Sequence, residues 1–185
     1  LIASCIDNDI PGNPASSERL YGGLDLGKLS DHTALALVNE DGGVFRLRLL
    51  KVYPTGTPYS AVVSELKALD RLYRLRAVAV DKTGVGEPIY EELSFSLSCR
   101  VYGVRFTQPF KARLMSGLKA LMEAGKLRIP YDRTLISHLS SVELQLSPHG
   151  GMRVTHPGGT HDDAAVALAL ACWAASRRGG AATLL

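Results

Sequence analysis

A chain of 185 residues with 46% hydrophobic content is long enough for one domain with a sizeable core, and no apolar run approaches the ~18 residues that would suggest a membrane-spanning helix. A formal charge of +3 and a pI near 8.8 permit a polyanionic partner without demanding one. Three cysteines, Cys5, Cys99 and Cys172, share no metal-binding spacing and cannot all pair, which points to a reduced interior rather than a disulfide framework.

Residues 1–19 carry Pro11, Gly12, Asn13, Pro14 and a Ser-Ser pair without periodicity, and are expected to be an arm or interdomain linker. Acidic residues follow the first apolar residues and no basic segment precedes them, unlike a signal peptide. Three strands are expected at 20–26, 33–39 and 44–53, the last two joined by a turn at 40–43, Glu-Asp-Gly-Gly. A helix over 58–73, with Ala61, Val62, Leu66, Leu69 and Leu72 at helical spacing, leads to a strand over 76–81 by a crossover of the kind that makes strands parallel. Further elements are a helix at 87–97, a strand at 100–106, a helix at 109–124 stopped by Gly125, a brief extended stretch at 127–130 and a helix at 134–139. A hairpin formed by 143–146 and 152–155 then precedes a closing alanine-rich helix that starts near Asp162 and fades by Gly179. This order predicts a mixed α/β sheet, an antiparallel three-strand meander extended by parallel strands, with helices on both faces. The main domain spans 20–178, and 179–185 form a flexible tail.

Three acidic positions stand out. Asp25 ends an apolar strand and is followed by Gly27; Asp81 ends Ala-Val-Ala-Val and is followed by Lys-Thr-Gly-Val-Gly; Asp162 and Asp163 open the last helix. An unpaired carboxylate at the end of a buried strand is unfavourable. Hard oxygen ligands delivered by separated segments suit a divalent cation, which cancels their mutual repulsion. Adjacent helical residues point roughly 100° apart, so sequence alone does not decide between Asp162 and Asp163. Asp162 is taken as the direct ligand, with Asp163 acting through water or as a helix cap. Gly22 to Lys28 matches most of a phosphate loop, but Leu29 stands where a metal-binding hydroxyl is needed and Asp25 would place a carboxylate in the cradle, so no nucleotide site is assigned. Asp31 reads as a turn residue, Glu87, Glu91 and Glu92 as a solvated helix face, and His161 as a helix-start histidine. His138, His149 and His156 lack ligand spacing, and Arg177 and Arg178 complement the helix dipole.

Four motifs in order, Gly23-Leu-Asp25-Leu-Gly27, Asp81-Lys-Thr-Gly84-Val-Gly86, the Lys111 to Pro130 stretch and His161-Asp162-Asp163, resemble the nuclease domain of the large terminase subunit of tailed double-stranded DNA viruses, a ribonuclease H-like fold. The resemblance implies an endonuclease in which Asp25, Asp81 and Asp162, with Asp163 as a fourth, hold two Mg²⁺ or Mn²⁺ ions, Asp25 bridging them. It also implies DNA-backbone contacts from Lys28, Lys82, Lys111 and Arg113, and cutting of concatemeric double-stranded DNA with little sequence preference. The expected partners are an ATPase motor domain upstream, the portal and the small terminase subunit, in the host cytoplasm during virion assembly. The 143–155 hairpin resembles the family's auxiliary hairpin. Three other readings stay open at this point: a junction-resolving nuclease of the same fold, an actin-like or sugar-kinase ATPase, whose phosphate-binding strand turn Gly-Leu-Asp-Leu-Gly also resembles, and a noncatalytic DNA-binding or assembly module.

Overall fold

The computed structural model describes residues 1–27, 32–146, 152–155 and 161–177. Lys28, Asp31, His149, His156, Arg178 and the tail, each given a reading from sequence, lie outside the described residues.

Strands β1 (Leu20–Asp25), β2 (Thr33–Asp41) and β3 (Val44–Tyr53) form the expected antiparallel meander. Gly42 and Gly43 both take positive φ, +59° and +79°, in the two-residue turn between β2 and β3, a conformation glycine adopts without the Cβ penalty. Helix α1 (Tyr59–Tyr73) then crosses over to β4 (Ala77–Asp81), which lies parallel to β1. Helix α2 (Gly86–Ser96) leads to β5 (Arg100–Val104), parallel to β4, and α3 (Gln108–Glu123) leads to β6 (Leu127–Arg128), parallel to β3. The six-stranded order is β5-β4-β1-β2-β3-β6, so β1 is central. Helix α4 (Arg133–Ser141), the separate antiparallel hairpin β7 (Glu143–Leu146) with β8 (Met152–Thr155), and α5 (Asp163–Ser176) complete the chain.

Period-two alternation sorts the sheet residues between two cores. Leu20, Leu24, Leu35, Leu37, Val78 and Val80 face α1 and α2, while Tyr21, Ala34, Ala36, Val38, Ala77 and Ala79 face α3 and α5. The second face is made of small residues because α5 comes very close there. A Cβ on Gly23 would collide with the Ala167 carbonyl oxygen and the Ala171 nitrogen, and would lie 2.9 Å from the Leu170 Cβ. Helix α5 is apolar on every side and buried along almost its whole length, as a helix enclosed by sheet, α3 and α4 must be.

Two expectations change. The buried face of α1 is Val62, Val63, Leu66 and Asp70, with Ala61 exposed and Leu72 62% exposed. Asp70 is drawn inside because its Oδ2 accepts hydrogen bonds from the Ser98 nitrogen at 2.7 Å and the Ser98 hydroxyl at 2.8 Å, joining the end of α1 to the α2–β5 connection. Residues 1–19, though aperiodic, are fastened to the sheet edge. Asp7 N donates to Ile129 O at 2.8 Å, Ile129 N to Cys5 O at 2.9 Å, and Cys5 is fully buried. Covering the β6 edge in this way satisfies backbone groups that would otherwise be unpaired.

The arm is locked by one buried arginine. Arg48 on β3 grips Glu18 through two bonds, Nε to Oε2 at 2.7 Å and Nη2 to Oε1 at 3.0 Å, and donates to the carbonyls of Pro11 at 2.8 Å and Asn13 at 2.9 Å. Burial alone would raise the pKa of Glu18, but the hydrogen bond and charge of Arg48 outweigh it and hold the carboxyl below its ordinary value of 4.5.

A glycine comparison tests the α5 approach: Gly23→Ala is expected to destabilise the fold by more than about 3 kcal/mol, whereas Gly43→Ala, in open space but at positive φ, costs about 1 kcal/mol. Urea melts of both variants check this, and equal midpoints would refute the close contact. The Glu18 carboxyl binds its proton less readily in the folded chain, so its stabilisation is present above pH 4.5 and drains away as pH falls through its depressed folded value. Wild type should therefore lose stability faster than Glu18→Gln on acidification below pH 4.5, as denaturant melts at stepped pH will register.

Candidate metal centre

The parallel register of β1 and β4 pairs Leu24 with Val80, so the next residues, Asp25 and Asp81, emerge side by side at the C-terminal ends of two central strands. That is where open α/β sheets place their functional groups. Each carboxylate is followed by a turn that fixes its approach. Past Asp25, the Gly27 carbonyl accepts the Tyr59 hydroxyl at 2.5 Å and the Gly27 nitrogen donates to Thr33 Oγ1 at 3.1 Å. Past Asp81, the Thr83 nitrogen donates back to Asp81 Oδ1 at 2.9 Å, and Gly86 lets α2 begin against the Asp81 carbonyl, which a Cβ would strike.

Helix α5 lies across β1 at Gly23 and so carries its N-terminus to the same end of the sheet. Asp162 and Asp163 there are 7% and 8% exposed. Asp162 is the N-cap by position, yet its side chain makes no capping bond. Its Oδ2 lies 2.7 Å from the Lys111 ammonium on α3. The contact is ionic, since no well-aligned hydrogen bond reaches that buried oxygen among the described residues. Asp163 Oδ2 lies 3.6 Å from His161 Nδ1.

The charges of the other three carboxylates reach Asp25. The Asp25 carboxyl is pushed well above the ordinary range, first by burial and then by the negative charge of Asp163; Lys111 pulls it back, and Asp81 and Asp162 push it up further. Among the described residues no three carboxylate, imidazole or thiol groups are closed to ligand spacing. The charges are in range of each other without forming a cage, the arrangement expected of acidic groups balanced by a single lysine. This donor set fits a divalent cation: all oxygen, short of positive charge, and including one carboxyl driven toward its neutral form by burial and its acidic neighbours.

Of the other candidates, Lys111 is brought into the site and Arg113 is not; it is exposed two residues further along α3, about 200° around the helix. Lys82 turns to Glu87 at 3.1 Å and over the Tyr90 ring at 5.1 Å. Glu87, expected to be merely solvated, bridges Lys82 and Arg105, the latter at 3.2 Å. A group of histidines escaped sequence reasoning. His32 donates through Nδ1 to Tyr53 O at 3.1 Å, and its ring meets that of His161 at 4.9 Å. His138 lies 6.0 Å from His161 and accepts at Nδ1 from the Ala164 nitrogen at 3.1 Å. Burial, and after it the neighbouring His161, lowers the His138 pKa and keeps the ring neutral, as an accepting Nδ1 requires. Only the proximity of His161 to Asp162 hinted at this group; His32 and His138 are distant in sequence.

Comparison with known proteins agrees with the fold. Residues 22–174 match the family described as the terminase RNaseH-like domain. The terminase large subunits of Thermus virus P23-45 and Thermus phage G20c are each 31% identical over 156 residues, covering 80% of this chain and 30% of the relative. The chain thus spans under a third of the curated relatives it matches. Among solved structures, the large terminase nuclease of phage G20c superposes with a TM-score of 0.74 at 29% identity, covering 86% of this chain and 83% of that one. That nuclease is also known with bound magnesium and with bound cobalt. The HK97 bacteriophage large terminase, 17% identical with a TM-score of 0.72 over 92% of this chain and 41% of its own, shares the fold. The chain therefore belongs to the terminase RNaseH-like domain family and corresponds to the nuclease domain of a terminase large subunit.

Proposed function

We propose that this domain is a metal-dependent endodeoxyribonuclease that cuts concatemeric double-stranded viral DNA with little sequence preference during genome packaging. The observation that carries the reading is the convergence of Asp25, Asp81, Asp162 and Asp163 on one end of the sheet, with the Asp25 carboxyl forced upward in pKa by burial and by its acidic neighbours. The metal-bound G20c relative supports it.

Two Mg²⁺ or Mn²⁺ ions held there would supply an activated water and offset the charge on the departing 3′-oxygen of an in-line displacement. Asp25, central in the sheet and coupled to every other member of the set, is the residue both ions would share. Asp81 is oriented for one of them by its bond from Thr83 N. For the helical pair we reverse the assignment made from sequence and propose Asp163 as the direct ligand. Its charge acts on Asp25 more strongly than that of Asp162, and the Asp162 carboxylate is already engaged by Lys111. Lys111, paired with Asp162, keeps the cluster together by partial neutralisation.

The wider assignment is the family's. DNA is the substrate, an ATPase motor domain belongs to the same subunit, and the portal and small terminase subunit are partners, in the host cytoplasm. Phosphate contacts carry no base information, which suits cutting at many sequences.

Supercoiled plasmid incubated with Mn²⁺, Mg²⁺ or EDTA gives the direct test. Nicking and linearisation are expected with the ions, none with EDTA, and a loss of about 100-fold or more in Asp25→Asn and Asp81→Asn. Cleavage that survives EDTA or both substitutions sinks the proposal. A folded wild type that binds DNA but never cuts it makes the domain a binding module, and a strong preference for four-way junctions over linear duplex makes it a resolvase. In Mn²⁺ titrations by calorimetry, Asp163→Asn should weaken binding about tenfold more than Asp162→Asn; the opposite order restores Asp162 as the ligand.

A further inference from the structure

The helix that carries the acid pair is capped from outside. Asp162 holds the N-cap position, its carbonyl accepting from Val166 N at 2.9 Å. An aspartate there ordinarily turns its carboxylate onto the N–H of the second or third helical residue. The second helical residue is Ala164, and its N–H is taken by Nδ1 of His138, 3.1 Å away on α4. His138 is 7% exposed. One turn further along α4, the Ser141 hydroxyl reaches the carbonyl of His161 at 2.9 Å as well as that of His138 at 2.8 Å. Helix α4 thus holds the backbone on both sides of the pair, at His161 before it and at Ala164 after it.

We propose that His138 is a positioning residue for the metal centre: by capping α5 in place of Asp162, it releases that carboxylate from the backbone and fixes the first turn from which Asp162 and Asp163 face Asp25. The inference rests on the metal-binding reading above. Its physical content is a division of labour. Were Asp162 to cap its own helix, the carboxylate would bend back onto the backbone and leave Lys111. With His138 in place the helix loses no cap and the site keeps both carboxylates. The remainder of α5 is buried against the sheet, so loss of this one bond should loosen the first turn far more than it destabilises the fold.

The side-chain geometry supplies a discriminating set of variants. Asparagine places an amide oxygen where Nδ1 of histidine lies, glutamine places its oxygen nearer to Nε2, and leucine has no acceptor. Mn²⁺ binding to the 185-residue chain, followed by calorimetry, should be within about twofold of wild type for His138→Asn and about tenfold weaker for His138→Gln and His138→Leu. Hydrogen exchange at the Ala164 amide should quicken in the same two variants and not in His138→Asn. Should the leucine variant fail to fold, the asparagine and glutamine pair decides alone. Equal Mn²⁺ affinity across wild type and variants overturns the proposal while leaving the metal centre standing. A wild type that binds no Mn²⁺ removes the metal centre itself, and the positioning role with it.

Discussion

The closeness of α5 to β1 is the constraint on which the rest of the domain depends. A buried helix can reach the central strand of a sheet only where neither side presents bulk, and here the contact is Gly23 against the backbone of Ala167 and Ala171. The alanines at 34, 36, 77 and 79 widen that seam across three strands, while the opposite face of the same strands is filled by leucines and valines. Interiors tolerate little void and little overlap, so the seam fixes the helix laterally to a fraction of a side chain. Fixing the helix fixes the reaction-end geometry as well: Asp162 and Asp163 lie at its start, and Asp25 lies two residues beyond the point of contact. Packing and chemistry share one device.

What that device assembles is electrostatically unfavourable. Burial and the acidic neighbours at this end of the sheet raise the free energy of the charged form of Asp25, with Lys111 the cation that acts against them. The cost is tolerated because strong β pairing and the α5 seam hold the backbone wherever the side chains would move it. Functional clusters are commonly placed against the local preference of the chain in this way. Lys111 moderates the cost without removing it, since one ammonium cannot neutralise four acids, and under the proposed reading a divalent cation would relieve the residual imbalance.

How far the sequence revealed this varies with the range of the interactions. Asp25 and Asp81 were legible because each ends an apolar strand and is followed by glycine, a purely local signal, and a parallel crossover then puts two such strands together. The meander, the two hairpins and the final helix were legible from local signals as well, whereas the spatial order of the strands came from the structure. The choice between Asp162 and Asp163 was not, because it depends on where α5 begins and which carboxylate Lys111 engages, and those facts come from α3 and α4. Asp70 defeated the reading of α1, since its burial is stabilised by Ser98, 28 residues away. The grip of Arg48 on Glu18, Pro11 and Asn13 spans 30 to 37 residues, so no local pattern in the sequence marks it.

The cations around the site bear on how such a domain would meet DNA. Lys111 is engaged by Asp162, and Lys82 and Arg105 share Glu87, so the lysine of the acid cluster and two cations beyond β4 and β5 are internally paired. With a formal charge of only +3 spread over the chain, long-range attraction for a polyanion is weak, and the uncompensated carboxylates repel phosphate at the very place where it would have to dock. Exposed pairs such as Arg105 with Glu87 are worth about 1 kcal/mol or less and yield readily to a phosphate, but the acid cluster does not yield to anything short of cations. Under the proposed reading, metal loading therefore reverses the sign of the local field as well as enabling hydrolysis, and a DNA backbone is held at the acids only when the groups that cut it are in place. Coupling of that kind would, under the same reading, make the isolated domain a weak DNA binder and leave the holding of DNA to contacts outside the acid cluster.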